Sequence, residues 1–486
     1  MTRHPLLLAL LCASLVLPAA SELPDLGDSA LANLPAHEEK RIAEITLREL
    51  RRSGMVLDDA EVDDYLQRLG YRLVGASDDN RINFRFFPID EKTINAWAVP
   101  GGVIGVNLGL IVLSQHESEL AAVIAHEIAH VTQHHYARMV ESQKGSSIMS
   151  LGALALAILA ASRSNGGDAP IAAMAATEGY QIQRYLDFSR DLEREADRVG
   201  IQTLAKAGFD TRAMPAFFDR MQKFYRNVDN GAYAFLRTHP VTLERISDSE
   251  ARAAQQPYRQ LADSHDYLLV REKLRVRQLG RQAALDYYRG TTEQRKYASE
   301  LAQQYGYAYA LFGDAQFDAA AGRLALARKQ LPASHPMLEG LTAQILIGQG
   351  RADDAASVLT KAMERFPSAW SLRYAEFDLL IQRGQFKDAE VRIDQALTER
   401  PSDPALHKRL AQAYQSQGKT GAYHRAMAEY YALIDEPAPA IEQLNLARRQ
   451  GGDYYLLSAI EARIRDMRAR LPVDKKGKPI IPVEEH

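Results

Sequence analysis

The chain is nearly free of cysteine: Cys12 is the only one among 486 residues. It lies inside an apolar leader, so everything after that leader lacks a thiol. Disulfides, cysteine–metal clusters and a cysteine nucleophile are thereby excluded from the exported part, which must rely on packing and on any metal held by other side chains. An excess of one charge is also missing, with 59 basic residues against 62 acidic ones and a net of −3. A nucleic-acid partner calls for a basic stripe, and none is present. No apolar run reaches the ~20 residues that a spanning helix needs. What remains is a globular composition, 46% hydrophobic, in a chain long enough for two or three domains.

Residues 1–21 carry the parts of a secretory signal peptide. Arg3 and His4 make a short positive start, residues 6–17 an apolar core, and Ala19, Ala20 and Ser21 the small residues for cleavage. Cleavage is expected after Ala20 or Ser21, the other reading being a retained N-terminal anchor. Cys12 follows Leu10 and Leu11 rather than a small residue, which argues against a lipid anchor there. Residues 22–35 read as a loose lead-in.

The chemistry centres on Ala121-Ala-Val-Ile-Ala-His126-Glu127-Ile-Ala-His130-Val-Thr132. Leu120, Val123, Ile124, Ile128 and Val131 make this one apolar helix. His126 and His130 are four apart and stack on one side of it, where two neutral imidazoles can share a metal ion. Glu127, beside them, can take a proton from a water on that ion. The plainer reading is a helix whose histidines cap its polar edge. Burying imidazole and carboxylate in an apolar helix is costly unless something satisfies them, and a metal satisfies all three.

Catalytic zinc takes three protein ligands and keeps a place for water. Without cysteine, the third must be His, Asp or Glu. The candidates lie in Ser189-Arg-Asp-Leu-Glu193-Arg-Glu195-Ala-Asp197-Arg-Val-Gly200, which also reads as helix. Glu193 and Asp197 share a face, so one can ligate while the other steadies a ligand imidazole. A solvated charged helix face is the alternative. His134 and His135 follow the motif and are expected to be rim or packing residues.

H-E-x-x-H followed by S-R-x-x-E-x-E-A-D resembles the gluzincin family that includes the CAAX prenyl proteases and their soluble periplasmic relatives. The likeness runs from about residue 36 to the helical repeats near the end. It implies zinc on His126, His130 and Glu193, with Glu127 as general base and Asp197 as an outer acid or proton donor. Glu195 is the rival third ligand. Thr93-Ile-Asn-Ala-Trp-Ala-Val-Pro100-Gly-Gly-Val-Ile-Gly-Val106 reads as two strands joined by a turn and matches the family's N-A-x-A-x-P-G-G segment. Its edge either receives an extended peptide or simply packs the sheet. His239-Pro240, followed by Arg245-Ile246, matches the family's H-P-x-x-x-x-R-I. By that likeness His239 approaches the zinc, as an oxyanion donor or as a fourth ligand that shuts the site.

Elsewhere, helices are expected over residues 36–52 and 59–74, a strand over 83–87, and a helix carrying Phe217, Phe218, Met221 and Phe224. The uncharged run 148–161 and the shorter 171–176 read as a buried or interfacial helix, with a flap or membrane-surface contact as the other choice. Gly350, Gly384 and Gly418 recur every 34 residues, and so do Pro367 and Pro401. That is the tetratricopeptide period, which builds a solenoid with a concave face.

The expected fold is α+β and mainly α. A helical, zincin-like metalloprotease domain with a small hairpin or sheet covers residues 36–254, a helical connection 255–298, a tetratricopeptide solenoid 299–470 and a frayed tail 471–486. The expected protein is a periplasmic zinc endopeptidase with a chaperone-like role. The resemblance implies stalled outer-membrane β-barrel proteins as substrates and the barrel-assembly machinery as partner of the repeats. A chaperone or scaffold with an idle metal site, or a cell-wall amidase, would share the same motifs.

Overall fold

The computed structural model describes residues 34–79, 81–142, 190–227, 235 and 239–471. The leader, the apolar runs 148–161 and 171–176, and the tail beyond residue 471 lie outside the described residues.

Helix α1, Ala36–Ser53, buries Ile42, Thr46 and Leu50 at four-residue spacing and stops at Gly54, whose φ of 64° is the left-handed cap. Helix α2, Ala60–Val74, starts where the Asp59 carboxylate accepts from the amides of Glu61 and Val62. Three strands follow: β1, Arg85–Ile89; β2, Ala96–Val99; and β3, Val103–Asn107. They form one sheet in the order β1-β3-β2, parallel between β1 and β3 and antiparallel between β2 and β3. Phe86 faces Ile104, and Trp97 faces Gly105. The first strand lies two residues later than the alternation suggested, because Pro88 continues it instead of ending it. That is tolerated because β1 is an edge strand. The expected turn sits between β2 and β3. There Gly101 has φ 84°, and a Cβ on it would lie 2.6 Å from the Glu39 carbonyl oxygen, so both conformation and space require glycine.

The short helix α3, Leu108–Leu113, leads into α4, Glu117–Thr132, in which every residue is buried. Helices α5, His135–Ser142; α6, Arg190–Ala207; α7, Ala213–Asn227; and α8, Leu243–Ala254, follow in order. The fully buried α4 packs on α6, α7, α2 and β2. It is the axis of the domain, and its polar residues must find partners inside.

Helices α9, His265–Leu279, and α10, Arg281–Gln294, belong to the core rather than hanging between domains. Tyr267, Leu269 and Val270 are fully buried in the cluster that holds Leu66 and Ile124, and the Tyr267 hydroxyl donates to the Ser114 carbonyl at 2.7 Å. Helical hairpins then succeed one another: α11 with α12, Glu300–Gly313 and Phe317–Arg328; α13 with α14, Pro336–Gly348 and Ala352–Arg365; α15 with α16, Trp370–Gln382 and Phe386–Glu399. The series ends with α17 and α18, Pro404–Ser416 and Thr420–Leu433, and α19 and α20, Pro437–Arg449 and Tyr454–Ala469. The periodic glycines occupy the turns inside hairpins, with φ of 75° at Gly350, 72° at Gly384 and 70° at Gly418. The solenoid also touches the first domain. Arg400 reaches Asp64 of α2 at 3.8 Å, and that carboxylate accepts from the Trp370 amide at the start of α15.

Candidate metal centre

Helix α6 carries Glu193, Asp197 and Gly200 on one stripe, at i, i+4 and i+7. The glycine faces α4. A Cβ there would stand 3.3 Å from the His126 amide nitrogen and 3.4 Å from its Cα. The two backbones therefore approach closely enough for the acids of one helix to reach the histidines of the other.

His126, His130, Glu193 and His239 each bring one ligand atom into a group whose members all lie within 4.8 Å of one another. The Nε2 atoms of His126 and His130 are 3.0 Å apart. Glu193 places Oε1 3.4 Å from His130 Nε2 and Oε2 3.5 Å from His126 Nε2. His239 Nδ1 is 2.9 Å from Glu193 Oε1 and 3.4 Å from His126 Nε2. A tetrahedral cation with metal–nitrogen bonds of ~2.05 Å spaces its ligand atoms by about 3.3 Å. The observed separations bracket that value, so the four side chains fit a tetrahedral ion. None of the four is more than 2% exposed.

Each outer nitrogen faces a close neighbour. His126 Nδ1 lies 2.9 Å from Asp197 Oδ1, and His130 Nδ1 lies 2.9 Å from His135 Nδ1. With a proton on each Nδ1, both Nε2 lone pairs converge on the same point. Burial alone would keep His126 neutral, but Asp197 and Glu193 hold it up to about 9. Burial drives His130 down to about 3, against the pull of Glu193. Burial would also raise the Glu193 carboxyl, yet His239 and Arg245 outweigh it and hold it well below the usual carboxylate range.

Arg245 is the residue whose role the sequence did not announce, although it stands in the H-P-x-x-x-x-R-I segment. It is 2% exposed. Its Nε and one terminal nitrogen each donate to a separate oxygen of Asp197 at 2.8 Å, and the other terminal nitrogen reaches Glu193 at 2.7 Å. This fork locks both acids of α6 from behind. Asp197 is accordingly held below its ordinary range, burial notwithstanding, so it stays charged and accepts hydrogen bonds. A proton-donor role for Asp197 does not follow from this arrangement.

Glu127 points at the same space and is 1% exposed. Its Oε1 lies 3.6 Å from His239 Nε2 and has no hydrogen-bond partner. Burial pushes its carboxyl up, opposed by His239 and His126. Strand β2 borders the site, and its Ala98 carbonyl accepts from the Tyr136 hydroxyl at 2.6 Å. An extended peptide pairing with Ala98 would have to displace that hydroxyl.

Glu195 lies outside the ligand group. It pairs with Arg138 at 2.7 Å and faces His135 Nε2 at 3.5 Å. The histidines after the motif part company. His134 adopts a left-handed φ of 50° and turns out to Glu39 at 3.3 Å, whereas His135 turns in and is fully buried. Had α4 continued, its period would have put His134 on the face of His130 instead.

A fully buried H-E-x-x-H helix, crossed by a helix that brings Glu193 into the same group of side chains able to hold a metal, is the arrangement of a metal-dependent peptidase. The chain belongs to peptidase family M48, which matches residues 57–253, and residues 346–413 match the tetratricopeptide repeat. Proteins named beta-barrel assembly-enhancing protease share 32% identity in Yersinia pestis and 31% in Escherichia coli (strain K12), over 88% and 89% of this chain and 88% of each relative. A Vibrio cholerae protein is 39% identical over 69% of this chain and 70% of its own. Among the described residues, no helix is long and apolar enough to cross a membrane.

Proposed function

We propose that this metallopeptidase is a zinc-dependent endopeptidase of the periplasm that cleaves outer-membrane β-barrel proteins stalled in assembly. The observation that carries the catalytic part is the convergence of four ligand atoms within 4.8 Å beside the Glu127 carboxylate. Two imidazoles, a carboxylate and no sulfur suit zinc, with His126, His130 and Glu193 as its ligands. Bound there, zinc would supply Lewis-acid activation of water and of the scissile carbonyl. Glu127 takes the proton of the attacking water and hands it to the departing amine. Its burial and lack of a hydrogen-bond partner at Oε1 leave that oxygen available for the exchange. Asp197 orients His126, and Arg245 keeps Asp197 and Glu193 in place.

His239 is better suited to ligation than to stabilising an oxyanion, because its Nδ1 already lies within 3.4 Å of His126 Nε2. The resting site is then closed by a fourth ligand, which substrate has to displace. The substrate class and compartment rest on the named function of the relatives together with the leader over residues 1–21. The repeats would dock the enzyme on the barrel-assembly machinery.

The test is casein cleavage by wild type and Glu127→Gln, each with its zinc content measured. Equal zinc and at least a ~10²-fold loss of cleavage in the variant are expected, since general-base work contributes about that much. Undiminished cleavage would reject Glu127, and absence of zinc would reject the metal.

A further inference from the structure

We propose that His135 is a positioning residue that fixes His130 through an outer chain running from His130 to His135, Glu195 and Arg138. This inference rests on the reading that His130 holds the metal. Two ring nitrogens 2.9 Å apart, His130 Nδ1 and His135 Nδ1, must share one proton. For His130 to offer its Nε2 lone pair inward, that proton belongs to its own Nδ1, and His135 Nδ1 is the acceptor. The remaining proton of neutral His135 then sits on Nε2, facing Glu195 Oε2 at 3.5 Å. Arg138 donates to the same Glu195 oxygen at 2.7 Å. Every group in the chain thus has one consistent proton assignment with both imidazoles neutral.

The charge balance explains why the two ligand histidines are held differently. His126 leans directly on the carboxylate of Asp197 at 2.9 Å. Glu127, Glu193 and Asp197 carry three negative charges, which Arg245 and a dication cancel. A further carboxylate placed directly on His130 would leave a net negative charge in a buried site. A neutral imidazole accepts the same hydrogen bond without that cost. It passes the influence of Glu195 inward, while Glu195 itself stays 26% exposed and paired with Arg138.

The backbone is arranged for this contact. In an unbroken helix, the fifth residue after His130 would stand about 140° round the axis from it. The left-handed His134, φ 50°, breaks α4 from α5 and brings the His135 ring to within 4.9 Å of the His130 ring.

The test compares His135→Asn with His135→Phe in the full-length protein, using zinc affinity measured by competition with a chromogenic chelator. Asparagine sets an amide oxygen where Nδ1 was, and phenylalanine keeps the volume but has no acceptor. His135→Phe is expected to bind zinc ~10–100-fold more weakly, with His135→Asn within about threefold of wild type. A residue that only fills space would give the reverse order, and either that order or equal losses overturns the proposal. Should the phenylalanine variant not fold, Glu195→Leu against Glu195→Gln tests the outer link. The leucine variant should lose roughly threefold or more and the glutamine variant nothing, because the amide oxygen still accepts. Equal affinities there overturn the chain. A wild type without zinc overturns the site reading and this inference together, whereas zinc-binding wild type with fully retained His135→Phe overturns this inference alone.

Discussion

Replacing Arg245 by methionine isolates what holds the two acids of α6. The guanidinium is 2% exposed and spans Asp197 and Glu193 through contacts of 2.7 and 2.8 Å. Methionine keeps much of the volume and stays over the Phe218 ring, which the guanidinium now covers at 5.0 Å. It leaves two buried carboxylates without their shared cation. Removing one partner of a buried ion pair costs about 3–5 kcal/mol, so the metal-free variant should lose that much in urea unfolding. Excess zinc should narrow the gap, because the ion takes over Glu193. Arg245→Lys should fall between, since a point charge cannot serve both carboxylates at fork geometry. The pH dependence gives a second readout. The folded forms of Asp197 and Glu193 are both held below the ordinary carboxylate range, so their contribution is present at neutral pH and lost as pH falls through the folded values. Arg245→Met should show a smaller acid loss than wild type. A cost under ~1 kcal/mol in the metal-free protein would refute the lock, because that is the size of an ordinary surface pair.

Removing the closing ligand with His239→Ala should raise basal casein cleavage about tenfold, as when only a tenth of the molecules is competent at rest. A drop would return His239 to the oxyanion role. Asp64, between α2 and the repeats, is pushed up to about 6 by burial, with Arg400 and Arg68 opposing. A raised acid favours the protonated folded state, so the contribution of Asp64 to stability should decline as pH climbs from the ordinary aspartate range through 6, and the melting temperature of Asp64→Asn relative to wild type should rise over that range. A difference between the two melting temperatures that does not change with pH would contradict the contact. Gly350→Ala meets nothing within 4 Å and should cost only the backbone strain of a left-handed residue, about 1 kcal/mol. Gly101→Ala adds overlap with the Glu39 carbonyl oxygen at 2.6 Å and should cost more, and the reverse order of melting temperatures would refute this account of the hairpin.

Much of this site was legible in the sequence because helical period alone sets its internal geometry. His126 with His130, and Glu193 with Asp197, are four-residue pairs whose shared faces need no tertiary knowledge. The repeat was legible for the same kind of reason, since glycine at φ near 70° is a local demand that recurs with each hairpin. What stayed hidden depends on breaks and long reaches. His135 finds His130 only because His134 leaves the helix, and the undisturbed period points to the wrong histidine. Arg245 meets Asp197 across 48 residues of chain, a distance no periodicity reports. The amphipathic pattern of residues 255–298 announced helices but not that Tyr267 would sink into the domain core. Strand β1 ran past Pro88 because its place at the sheet edge is a tertiary fact.

The most direct measurement is an anomalous difference map of wild-type crystals collected across the zinc edge. One peak is expected, about 2.0–2.2 Å from Nε2 of His126, Nε2 of His130, a carboxylate oxygen of Glu193 and Nδ1 of the closing His239. Absence of a peak there, or one bound by other side chains, would contradict that reading.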